Sequence, residues 1–344
     1  MPNLKSLVKD LTYYSGILPI YHRFKNKKSL TVVLFHRVID KNDPRWLQCD
    51  REWSVSTDFF NQCLSFFKNH YSIITIKDIE EHFTSGKALP SYPLLITFDD
   101  GWADNFEYAA PICKKYNSSF HTFVTTGVSG KSYLNWRETV QGLLTAGHFS
   151  IEELIDNINT ECKLSISIDY NTRQLIDYII SLEDDKKSTI ISHINSLASN
   201  FKPQQQMLSI EQLRQMWHEK FYLGTHGHTH EPITECKDQE KELVTSKSTL
   251  TKNLQPELMN SEINSMAFPH SAVDHATYKK TVDAGYKFIF GGRKQLNTLE
   301  KSGDSCLYFG RINIDQTSLQ THGKLSKSLL SLLLFRQVAK KPSY

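Results

Sequence analysis

The stretch PLLITFDDG, residues 93–101, decides how this chain is read. Pro93 to Phe98 carry no charge and read as a buried strand. The strand runs straight into two adjacent carboxylates, Asp99 and Asp100. Neighbouring carboxylates repel, and a buried pair is costly unless a cation or a shared proton compensates. Gly101 lets the backbone turn sharply, so both side chains can face one cleft. An Asp-Asp-Gly turn alone is common at surfaces, so a second stretch matters. GTHGHTH, residues 224–230, also follows an apolar strand, FYLGTH. His226 and His230 are four apart, which puts both on one face of a helical turn. Neutral imidazole is the commonest metal ligand. One carboxylate with two histidines is a usual set for a catalytic divalent metal with open positions.

Working outward, further apolar runs read as strands: TVVLFH at 31–36, YSIITI, SFHTFVTT, NSMAFPH, KFIFGG and CLYFGRINI. Helical patterns fall between them. Ser56 can cap a helix bearing Phe59, Phe60, Leu64 and Phe67, and Ser209 with Gln212 forms a capping box ahead of Leu213, Met216 and Trp217. A polar helix is expected over 236–253, and HATYKKTVDAGY is expected to end at Gly285. Strand–helix alternation of this kind predicts parallel β/α units. Residues 137–208 break the rhythm and read as a helical insertion, with Ser150 and Glu153 opening one helix. Residues 1–29 read as a helix, stopped near Gly16 and Pro19, followed by a basic linker. Residues 316–344 read as a helical tail, nearly apolar all round from Leu329 to Phe335.

The 344 residues carry a net charge of +3, which offers no argument for nucleic acid as a partner. The six cysteines are scattered without a C-x-x-C pair, which argues against a zinc ribbon or a thioredoxin-like site and suits free thiols in a reducing compartment. The first residues lack the apolar core of a signal peptide, and no run approaches the roughly 20 apolar residues that span a bilayer. The expected location is therefore cytoplasmic.

TFDDG at 97–101 followed by H-x-x-x-H at 226–230 resembles the polysaccharide deacetylases, carbohydrate esterase family 4, or NodB-homology domain. The resemblance implies an α/β fold, a distorted (β/α) barrel of about seven strands, here over 30–315. It implies Asp99 as catalytic base and Asp100, His226 and His230 as metal ligands. Zinc is the first choice of ion, with cobalt, nickel or iron suited to the same ligands. The implied partner is an N-acetylated glycan. Both motifs sit at strand C-terminal ends, where barrel enzymes place their chemistry.

The family's third motif, R-x-P-Y-G, becomes Ala267-Phe268-Pro269-His270-Ser271. It aligns through Pro269, and an oxyanion-binding backbone N–H at His270 does not depend on the side chain. The arginine that orients the base is absent there; Arg311 and Arg137 are candidates to supply it. The family's final L-x-H motif, source of the general acid, has no good copy near the C-terminus, where His322 sits in a polar stretch. Leu34-Phe35-His36 fits the pattern early instead, within Phe35-His36-Arg37-Val38, as in a circularly permuted bacterial member. His36 is then the expected acid. Trp136, at the entry to the insertion, is an aromatic ring able to stack on a sugar.

The function so implied is metal-dependent removal of N-acetyl groups from an amino sugar. A small-molecule amidohydrolase, an O-deacetylase and a glycan-binding protein that has lost catalysis remain open alternatives. A weak peripheral contact with the inner membrane face is a further expectation, from Lys5 and Lys9 on the first helix and from Leu329–Phe335 with Arg336, Lys340 and Lys341.

Overall fold

The computed structural model describes residues 4–131, 136–198, 206–259, 261–299 and 306–341. Strands β1 (Ser29–Phe35) and β2 (Pro93–Phe98) are buried at every position, as a parallel sheet covered on both faces requires. They continue into β3 (His121–Val124), β4 (Tyr222–Thr225), β5 (Ser265–Ala267), β6 (Phe288–Gly291) and β7 (Leu307–Gly310). Each of these pairs in parallel with its neighbour. One residue beyond β7, after Arg311, the chain re-enters the sheet as β8 (Ile312–Asn313), parallel to β1. The sheet thus curls round until a single strand, interrupted at Arg311, bridges β6 and β1.

The sheet holds eleven strands, more than the expected seven. Ser72–Ile74, inside the expected strand YSIITI, pairs beside β2; the unexpected strands are short, Leu296–Thr298 antiparallel to β1 and Ala339–Lys340 beyond it. Segments of two or three residues are too brief to show alternation in sequence.

The N-terminal reading also needs correction. Helix α1 (Leu4–Tyr14) ends before Gly16, at φ +86°, but no linker follows. Helix α2 (Ile17–Lys25) begins at once, with Pro19 in its first turn, where a missing N–H breaks no helical bond. The C-terminal helix Lys327–Phe335, capped by Ser326, buries Leu330, Leu334 and Phe335 in the main core. Its apolar face therefore packs against the protein, and α1 and α2 lie on it.

Four helices, Trp136–Thr145, Ile151–Cys162, Thr172–Ser181 and Asp184–Leu197, share an apolar cluster of their own around Leu154, Ile158, Leu175, Ile179 and Ile194. The capping boxes at Ser150 and Ser209 both form. No disulfide joins any of the six cysteines. Among the described residues no helix is long and apolar enough to cross a membrane.

Candidate active site

Strand β2 ends in a tight turn. Asp100 has φ +74° and Gly101 φ +86°. A Cβ at Gly101 would lie 3.1 Å from Val124 Cγ1, so both conformation and space call for glycine. The Asp99 amide donates to the Phe35 carbonyl at 3.1 Å.

Asp99 is buried and bound two-pronged by Arg311, Nη1 to Oδ1 at 2.6 Å and Nη2 to Oδ2 at 2.8 Å. Burial pushes this carboxyl upward, but Arg311 and then His226 hold it below its ordinary value. Arg311 also donates Nε to the Gly291 carbonyl at 3.3 Å. The guanidinium missing from the Ala267 position therefore arrives from the interrupted strand between β7 and β8. Arg137 does not take this place; its charge acts on His230 and His270.

Asp100 faces the two histidines. Its Oδ1 lies 3.1 Å from His230 Nε2 and 3.5 Å from His226 Nε2, and one ligand atom from each of the three residues falls within 4.8 Å of the others. The other carboxylate oxygen, Oδ2, accepts the Trp102 indole N–H at 2.8 Å. His226 Nδ1 donates to the Ala267 carbonyl at 2.8 Å, which fixes the tautomer and leaves the Nε2 lone pair facing Asp100. Burial pushes His226 down to about 4. Burial also opposes protonation of His230, yet Asp100 holds that imidazole above its ordinary value. A fixed tautomer, a carboxylate whose Oδ1 faces both imidazoles and three converging donor atoms suit a divalent ion.

The two histidines do not share a helical turn. Gly227, φ +74°, and His230, φ +70°, lie in an irregular loop. One oxygen, Glu242 Oε1, accepts from the His228 amide at 2.6 Å, the Thr229 amide at 2.7 Å and the Thr229 hydroxyl at 3.1 Å. Three bonds to one carboxylate replace the helical ladder. His228 turns aside to Thr126 Oγ1, 2.9 Å away.

His36 follows β1 directly. Phe35 and Phe98 are register partners, so His36 and Asp99 leave the sheet side by side. Burial lowers the His36 imidazole against the pull of Asp100 and Asp99. Its ring packs on Trp53 at 4.6 Å between centroids. His322, by contrast, sits exposed on the turn joining Gln320–Thr321 to Lys324–Leu325. Pro269 is buried, and the His270 ring lies 5.0 Å from that of His230. His270 and Ser271 both adopt positive φ, +55° and +56°, so the turn keeps a left-handed path without glycine. Trp136 packs against the insertion's apolar cluster.

Trp102, Glu242 and a buried network around Arg37 escaped sequence reasoning. Arg37 stacks 4.1 Å from the Trp102 ring and donates to Asp104 at 2.9 Å and to Glu138 at 2.5 Å. Trp102 directly follows TFDDG and Arg37 stands within Phe35–Val38, so adjacency was the available signal. Asp104, Glu138 and Glu242 gave none.

No family model matches the sequence, and no curated protein matches it. Solved structures do. A Streptococcus pyogenes deacetylase, PplD, in complex with acetate superposes with a TM-score of 0.56 at 15% identity, covering 90% of this chain and 99% of that one. IcaB from Ammonifex degensii gives 0.55 at 15% identity over 90% and 97%. A de-N-acetylase from Aggregatibacter actinomycetemcomitans gives 0.54 at 16% identity over 89% and 100%. This chain has the polysaccharide deacetylase fold. At such identities the likeness concerns the fold, and the chemistry rests on the residues above.

Proposed function

We propose that the chain is a metal-dependent carbohydrate deacetylase, a hydrolase that removes N-acetyl groups from an amino sugar in a polysaccharide or glycan intermediate. The carrying observation is the Asp99–Arg311 pair set beside the convergent Asp100, His226 and His230. The structural neighbours are described as a deacetylase and a de-N-acetylase, one of them with acetate, the product such a reaction releases.

Asp100, His226 and His230 would hold a divalent ion, zinc by first choice. When bound, such an ion lowers the pKa of water and polarises the acetyl carbonyl. Asp99, kept ionised by Arg311, accepts the proton of the attacking water. Arg311 holds the carboxylate in one orientation, because a two-pronged contact fixes its plane. The backbone N–H of His270, behind Pro269, is assigned to the developing oxyanion. His36, beside Asp99 at the sheet end, delivers a proton to the departing amine, in the place a permuted chain gives to the family's last-strand histidine. With Arg311 on Asp99, the strongest argument for a binding protein that has lost catalysis disappears.

The test is acetate release from N-acetylated oligosaccharides by purified protein, with and without chelator. Chelator should abolish release, and His226→Ala should lose both the ion and the activity. Metal content unchanged in that variant would remove the ligand assignment.

A further inference from the structure

Helix α2 turns its apolar face to water. Its inward stripe is Leu18, His22 and Asn26, four residues apart. His22 stacks on Phe335 at 4.1 Å and Asn26 donates to the Phe335 carbonyl at 2.8 Å, so partly polar contacts seat the helix on the core. The opposite face carries Ile17, Ile20, Tyr21 and Phe24, spaced i, i+3, i+4, i+7. Their exposures are 62%, 53%, 37% and 86%. Leu11 and Tyr14, at the adjoining end of α1, are exposed as well. Surface helices normally bury their apolar stripe. Single exposed apolar residues mean little, but a clustered set marks an interaction site.

The surrounding charge narrows the partner. Residues 11–28 and 316–341 together hold nine Lys and Arg and no Asp or Glu, in a chain whose totals are 40 and 37. Arg23, Lys25, Lys27 and Lys28 flank the apolar face and are exposed. The C-terminal helix on which α2 rests belongs to the second of these segments. A second copy of the chain would bring like charges together, which disfavours a symmetric dimer through this face. An anionic lipid surface satisfies both features, since apolar side chains enter the acyl boundary while Lys and Arg meet the headgroups.

We propose that α2, with the end of α1, is a docking face for an anionic phospholipid bilayer, lying in the interface without crossing it. The reading does not depend on the catalytic assignment. The C-terminal helix takes part as the basic, core-packed support, not as a second inserted element.

The experiment is co-sedimentation of the full chain with phosphatidylserine–phosphatidylcholine vesicles and with pure phosphatidylcholine vesicles, at low and high salt. Binding is expected only to the anionic vesicles, and salt should weaken it. Ile20→Glu/Phe24→Glu should bind at least about tenfold more weakly. Lys27→Ser/Lys28→Ser should lose roughly five-fold for each charge removed. Both pairs are exposed, and circular dichroism checks that the fold persists. Recovery of the parent in the supernatant with anionic vesicles overturns the proposal. So does vesicle binding unaltered in Ile20→Glu/Phe24→Glu. A concentration-dependent dimer in ultracentrifugation, lost in that variant and without vesicle binding, would assign the face to a second copy instead.

Discussion

Replacing Arg311 by Met probes the site most directly, because among the described residues Asp99 has no other Lys or Arg paired with it. The pair is joined at 2.6 and 2.8 Å, with side-chain exposures of 1% and 4% at the closer contact. The nearest alternative, His226 Nε2, is 3.9 Å from Asp99, and its imidazole is neutral near pH 7 because burial pushes it down to about 4. Removing one partner of a buried ion pair costs about 3–5 kcal/mol, most of it from the charge left behind. Arg311→Met should therefore destabilise the metal-free protein by about that much. Asp99→Asn strands the guanidinium and should also destabilise. The double variant removes both charges, so it should be milder than the sum of the two by about 2 kcal/mol or more. Urea unfolding followed by tryptophan fluorescence measures all four corners of this cycle. Single losses that simply add, or an Arg311→Met variant within about 1 kcal/mol of the parent, would refute the pairing as an energetic unit.

Trp102→Phe keeps a ring against Arg37 but removes the indole N–H from Asp100; loss of such an outer partner should weaken metal affinity by about 10–100-fold in a chelator competition, and unchanged affinity would dismiss the role. His36→Asn should lower turnover of an N-acetyl substrate by about 10²–10⁴-fold, while hydrolysis of an aryl acetate, whose leaving group needs no proton, falls far less. Equal losses on both substrates would exclude His36 as the acid. His22 is pushed down to about 4 by burial, with Nδ1 3.2 Å from Asn26 Nδ2 and Nε2 3.2 Å from the His70 carbonyl. Its folded pKa lies below its unfolded value of 6.5, so its contribution is complete above pH 6.5 and is lost as pH falls toward 4. At pH 5 the loss is about 2 kcal/mol, at 1.36 kcal/mol per unit. His22→Phe should flatten the stability slope between pH 6.5 and 5, and an unaltered slope would refute the reasoning.

Much of this molecule was legible because its decisive residues sit where an apolar strand ends. PLLITFDDG, TVVLFH and FYLGTH each announce a strand and the polar groups that follow it, and the structure brings those ends together. What stayed hidden depends on contacts remote in sequence. Arg311 could be named as a candidate, but its partner lies 212 residues away and only the closing of the sheet decides it. Glu242 lies on a polar helix whose sequence reads as a solvated face. The histidine loop misled because a spacing of four suits a helix, whereas hydrogen bonds to one carboxylate hold it open. Gly16 and Pro19 read as terminators, although proline in a first turn is as compatible with a beginning.

The cradle that Glu242 makes for the histidine loop also bears on how the ion is chosen. Together with the tautomer fixed at His226 and the indole on Asp100, it sets the donor atoms through protein contacts alone. A ligand set prepared in this way would need little rearrangement on loading, so a metal held there could be stripped and exchanged without unfolding the chain. Two imidazoles and one carboxylate follow the general affinity order of first-row ions and reject few of them. If the site is loaded as proposed, the ion it holds would be governed chiefly by the supply in its surroundings, and preparations from different growth media should carry different metals on one unchanged backbone.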